Sequence, residues 1–187
     1  MNVKSNLFFI ILFIYLAGCA GSAEKCGVEC VNLSQAQSER FEKEMPALER
    51  AAQAGGMQEK IAYANALSAY GEYWYKRSLF EKTDFYANAK VWFENSVAQH
   101  TPAARGSCIA ESYLADMYHE GRGVEKNYSK AAKLYKNSMR AFNKAAEMYE
   151  NGADVGKNVE IANQLYAEAK TAELNMRAAY SKAAEGN

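Results

Sequence analysis

The chain has 187 residues, 22 basic and 22 acidic side chains, two prolines and four cysteines. That length suits one domain or one short array, and the balanced charge excludes a bulk electrostatic pull towards nucleic acid. Alanine, glutamate, lysine, tyrosine and asparagine dominate, and almost no stretch alternates apolar with polar residues, so the predicted fold is all-α.

The first element is an uncharged apolar run from Leu7 to Ala17, preceded by Lys4. It holds about half of the ~20 residues that a membrane-spanning helix needs. A positive start, a short apolar stretch and the small residues Ala17 and Gly18 predict a secretory signal peptide over residues 1–18. The ending Leu16-Ala17-Gly18-Cys19 resembles the lipobox of bacterial lipoproteins. The resemblance implies cleavage before Cys19, lipidation of that cysteine with palmitate-like chains, and a membrane anchor. Ala20, where the family tends to place aspartate for inner-membrane retention, implies an outer-membrane address facing the periplasm.

Residues 19–31 read as the lipidated cysteine and a tether. An exported chain meets an oxidising compartment, which favours a disulfide. Cys26 and Cys30 could close on each other across Gly27, or either could pair with Cys108. A metal site is not expected, because His100 and His119 lack a second close pair of ligands. Residues 32–56 read as an N-terminal cap: a helix, a break at Pro46, and a second helix closed by Gly55-Gly56.

From there the chain repeats. LADMYHEGRGVEKNYSKAAKLYKNS, from Leu114, aligns with AAEMYENGADVGKNVEIANQLYAEA, from Ala145. Tyr118 falls on Tyr149, Gly121 on Gly152, Val124 on Val155, Asn127 on Asn158, Ala131 on Ala162 and Tyr135 on Tyr166, always 31 residues apart. A more worn copy lies upstream, where Tyr70 to Trp74 matches LADMY and Asn88 to Ser96 matches KAAKLYKNS. Each copy predicts a helix, a tight turn and a second helix. Leu114, Ala115 and Tyr118 share one face of the first helix. Gly121 and Gly123 end it, Asn127 and Asn158 cap the second helices, and Ala131, Leu134 and Tyr135 form a buried stripe. Ala115, matched by Gly71 and Ala146, keeps the first helix thin enough for a neighbour to approach, and Tyr118 is expected in the interface between one copy and the next. No copy buries enough apolar surface alone, so the copies must stack.

YLADMYHEGRGVEKNYSKAAKLY resembles the Sel-one-like repeats, relatives of tetratricopeptide repeats that build α/α solenoids. The resemblance implies a short solenoid of about three helix–turn–helix repeats over 57–172, divided at about 57–100, 108–138 and 140–172, with helical caps. Residues 173–187 end a long capping helix that starts near Asn158. The third copy loses the Gly-x-Gly turn at Ala153-Asp154, and the first has Arg77 to Thr83 in its place. A spacing shorter than is usual in the family implies a tightened turn between consecutive units.

No catalytic constellation emerges. Arg105-Gly106-Ser107-Cys108 is not a Gly-x-Ser-x-Gly elbow. Gly121-Arg122-Gly123 is explained by helix termination, and the tyrosines at helical spacing by packing. No cofactor and no small-molecule substrate are expected. One pattern suggests binding: the third position of each repeat helix is acidic, at Glu72, Asp116 and Glu147. By analogy with related solenoids this position lines the concave groove, beside Tyr75, Ser112, Tyr113, His119, Glu120, Asn143 and Glu150. Such a trough suits a basic segment of a protein partner. Families resembling this one include immunity proteins that neutralise periplasm-delivered toxins such as type VI secreted phospholipases. A scaffold for a secretion or polysaccharide-export machine is the alternative.

Overall fold

A computed structural model describes the backbone over 28–81, 85–99 and 105–185, and side chains over 39–79, 85–99 and 105–185. The signal segment, Cys19, Cys26, the side chain of Cys30, and the loop with His100 and Pro102 lie outside the described residues. Within them the elements are all helices: α1 Val28–Ala54, α2 Met57–Glu81, α3 Tyr86–Ala98, α4 Arg105–Glu120, α5 Tyr128–Asn151 and α6 Val159–Ala184. The chain divides into two compact units, 1–44 and 45–187. In the first, Arg40 pairs with Glu44 one helical turn away. The repeats and the candidate surface belong to the second.

The expected break at Pro46 is absent, and α1 runs through it. Proline costs one backbone hydrogen bond and crowds the preceding turn. Here it is flanked by strong helix formers from Glu42 to Met45 and from Ala47 to Ala52. Burial of Met45, Leu48 and Ala52 along one side adds to the balance in favour of helix. The helix also starts at Val28, inside the stretch expected to be tether, and ends as expected before Gly55-Gly56.

α2 and α3 form the first hairpin. Gly71 lies against Phe93, and a methyl group at Gly71 would sit 2.7 Å from that ring. The matched positions Ala115 and Ala146 are fully buried. The small residue at this repeat position is therefore a spacing device. Phe93, Tyr75, Ala110, Leu114 and Met117 build the core shared by α2, α3 and α4.

Both repeat turns follow the same hydrogen-bond plan. The amides of Gly121 and Arg122 donate to Met117 O, and that of Asn127 to Tyr118 O. In the next copy Gly152 and Ala153 donate to Met148 O, and Asn158 to Tyr149 O. Asn127 and Asn158 accept from the amides of Lys130 and Ile161 at 2.8 and 3.0 Å, so both are N-caps as predicted. Where Gly123 has φ +64°, Asp154 has φ +59°. The turn has kept its left-handed residue after losing the glycine that adopts it freely, because aspartate tolerates that region better than most side chains.

The 31-residue spacing has a different cause from the expected tightened turn. The second helix of the 108–138 copy and the first helix of the next are one unbroken helix, α5, of 24 residues. No turn separates the copies, so the third copy enters with its polarity reversed. α4 lies antiparallel to α5: Ala115 packs with Ala131 and Tyr135, while Cys108 packs with Phe142, Ala145 and Ala146. α6 returns along α5, with Leu165 and Ala169 in the second of these clusters and Ala179 in the first. The two repeat turns consequently sit at opposite ends of α5. One docks near the C-terminal part of α2, where Arg122 donates to the Tyr75 hydroxyl and Gly123 lies against Tyr86. The other reaches the N-terminal part of α2, where Val155 packs on Ile61 and Ala64.

Candidate partner-binding surface

The predicted groove residues fall into unlike settings. Tyr75 is 4% exposed and stands among Tyr86, Phe93 and Tyr113, so it is core and not groove lining. Tyr113 stacks on Phe93 with ring centroids 4.9 Å apart. Ser112 shares a 2.7 Å hydrogen bond with the buried Ser138, which itself donates to Cys108 O. These residues hold α4 against its neighbours. Tyr118 is half-buried beside the Ala131–Tyr135 cluster, and its hydroxyl accepts from Lys130 Nζ at 2.7 Å.

The acidic column does not form a uniform row. Glu72 is paired with Lys76 on its own helix. Asp116 accepts a hydrogen bond from the Tyr135 hydroxyl across the hairpin. Glu147 is exposed and lies on the same helix as Tyr135 but 12 residues further on, roughly 18 Å along the axis. Helix fusion is the reason, since it carries the third copy's first helix away from α4's C-terminal end. Glu150 accepts from the Tyr166 hydroxyl at 2.9 Å, a second tyrosine–carboxylate link inside a hairpin. Asn143 is half-buried on α5.

One polar junction does gather predicted residues with two that the sequence reading passed over. Asp116, His119 and Glu120 of α4 meet Arg122 of the turn, Tyr135 of α5 and Tyr75 of α2. Burial raises the Asp116 carboxyl, and the Tyr135 hydrogen bond, Arg122 and His119 oppose the rise. Tyr135 is held far above its ordinary value by burial first and by Asp116 second. Tyr75 is raised by burial, against the hydrogen bond from Arg122. His119 packs edge-on to Tyr128 and lies 3.3 Å from the Glu120 carboxylate. Arg122 and Tyr135 were findable: the first sits in the glycine turn, and the second is a repeated tyrosine matched by Tyr166. The junction places charged and hydroxyl groups at the seam of three helices.

Cys108 is 1% exposed in the core between α4, α5 and α6, and burial pushes its thiol up to about 12. Beside it on α4, Glu111 is half-buried and its carboxyl is raised to about 7 by desolvation alone. Among the described residues no group of three or more His, Cys, Asp or Glu is placed to hold a metal ion. No described helix is long and apolar enough to cross a membrane.

The paired hairpins, the shared turn plan and the small-residue spacing agree with a family match over two segments, 108–138 and 141–173. These segments are Sel1 repeats. Sel1 repeats are related to tetratricopeptide repeats and are in general protein-interaction modules. A solved Sel1 repeat protein from Oxalobacter formigenes aligns over 88% of this chain and 69% of its own, with 18% identity and a TM-score of 0.36. No curated protein matches the chain.

Proposed function

We propose that this is a non-enzymatic envelope lipoprotein whose Sel1 repeat body binds a protein partner, and that it acts as an immunity protein against a periplasm-delivered toxin. The observation that carries the binding role is the tandem Sel1 repeat pair at 108–138 and 141–173. The envelope address rests on Leu16-Ala17-Gly18-Cys19, with the anchor at Cys19 and the body facing the periplasm from the outer membrane. An anchored inhibitor would be concentrated beside the bilayer that a phospholipase toxin attacks. Partner contact is assigned to the accessible members of the candidate set, His119 and Glu120 at the polar junction and Glu147 and Glu150 at the far end of α5. The reading requires no cofactor.

The test is protection. Cells exposed to a periplasm-delivered phospholipase toxin that this chain binds should survive when the chain is co-produced, and the two purified proteins should form a complex. Equal killing with and without the chain overturns the immunity role. Recovery of a secretion or polysaccharide-export assembly in its place would assign the chain to scaffolding.

A further inference from the structure

Charge is balanced over the whole chain and, on most helices, within a turn. α1, α2 and α3 carry the pairs Arg40–Glu44, Lys76–Glu72 and Lys90–Glu94. On α6, Lys170 and Arg177 share Glu173, and Lys182 meets Glu185. The long helix α5 departs from this habit. Between Lys126 and Ala146 the sequence places Lys130, Lys133, Lys136, Arg140 and Lys144 and no acidic residue at all.

Those five cations are spaced three, three, four and four residues apart, so they share one side of the helix. Lys130, Lys133, Arg140 and Lys144 are exposed and Lys136 is half-buried. Because α5 is unbroken where a turn between repeats was expected, the row is straight and spans roughly 21 Å. Lys133, Lys136, Arg140 and Lys144 make no ion pair among the described residues. Like charges one turn apart repel. Lys130 is engaged with Tyr118, but the other four give the fold no ion pair, which makes an external anion their natural complement.

The composition of the face decides which anion. Its other exposed residues from Ser129 to Lys144 are polar, Ser129 and Asn137, and none is aromatic or aliphatic. Protein interfaces are anchored by buried aromatic and arginine side chains and are depleted in lysine. Four of the five cations here are lysines, compact point charges without the fork that reads a single carboxylate. A row of that kind suits a diffuse sheet of phosphates better than a discrete acidic peptide. We propose that this face of α5 docks on an anionic phospholipid surface, lying on the headgroups without inserting. It adds an orienting contact to the molecule and goes beyond the protein-partner reading, on which it does not depend.

The experiment uses the full chain carrying Cys19→Ser, so that no acyl anchor contributes. Binding is measured to phosphatidylcholine vesicles with and without phosphatidylglycerol. The leader, with its Lys4, is common to the parent chain and to the variant below, so the difference between those two isolates the α5 row. The expected result is preference for the phosphatidylglycerol vesicles that fades as salt rises. The quadruple variant Lys133→Gln, Lys136→Gln, Arg140→Gln and Lys144→Gln should reduce that preference on the order of a hundred- to a thousandfold. Glutamine keeps helix propensity close to lysine's, and an unchanged far-ultraviolet dichroism spectrum confirms the fold. No preference in the parent chain, or an unchanged preference in the variant, overturns the proposal. Tighter binding to a DNA oligonucleotide or to polyglutamate than to the anionic vesicles overturns it as well.

Discussion

Gly123 and Asp154 occupy the same place in two copies of one turn, with φ of +64° and +59°. Their surroundings differ. A methyl group at Gly123 would lie 2.4 Å from Tyr86 Cβ and 3.3 Å from the Tyr86 carbonyl carbon, so backbone as well as side chain must give way. Gly123→Ala therefore combines a left-handed penalty of roughly 1–2 kcal/mol with overpacking of about 1–3 kcal/mol, and unfolding in urea should show a loss in that combined range. Asp154 is exposed. Asp154→Gly removes only the backbone cost and should gain up to about 1 kcal/mol, offset in part by the freer unfolded chain. A loss at both positions would mean that the two turns do not share a conformation. Glu111 gives the second prediction at this scale. Its folded value, raised to about 7 from 4.5, means that the folded chain binds the proton more tightly than the unfolded chain does. The sign follows from linkage: stability falls as pH rises from about 4.5 through about 7 and is level beyond. Glu111→Gln should raise the melting temperature above pH 7 and leave it unchanged near pH 4.5. An equal gain at both ends would assign the effect to packing.

The helices were legible in proportion to how local their signals are. Asn127 and Asn158 cap because an asparagine side chain reaches the amide three residues on, and Gly121 and Gly152 end helices because φ +75° and +76° suit glycine. The fusion of two repeat helices into α5 was missed because repeat logic demanded a turn. The local residues said otherwise: nothing between Tyr128 and Asn151 is glycine or proline. Pro46 was misread in the opposite direction, with one breaker given more weight than the helix formers and buried residues around it. The acidic column failed one level higher, since it needed the copies to stack with a common polarity. Asn137 tests the fusion directly, being exposed at the point where the turn was expected. Asn137→Pro should cost about 3 kcal/mol or more if the helix is continuous, whereas Asn137→Ala should be neutral or slightly stabilising. A proline variant as stable as the alanine variant would show that the helix is broken there.

Reversing the third copy changes how the 45–187 unit holds together. In an open array each repeat touches only its neighbours, and the last repeat can melt without the first. In this molecule α2 is held near both ends, by Arg122 at Tyr75 and by Val155 at Ile61 and Ala64, while Gly123 lies against Tyr86 at the start of α3. The third copy is thereby coupled to the first, and the unit should unfold as one. The two tryptophans, Trp74 and Trp92, both lie in the α2–α3 hairpin, so their fluorescence reports on the first copy and the core it shares with α4, and not on the third copy. Val155 is 5% exposed in the turn of the third copy. Val155→Ala removes apolar contact with Ile61 and Ala64 and should cost about 1–3 kcal/mol. If the coupling is real, the urea midpoint from tryptophan fluorescence shifts by the same amount as the midpoint from far-ultraviolet dichroism. If the repeats melt separately, the dichroism curve splits and the tryptophan midpoint stays where it was.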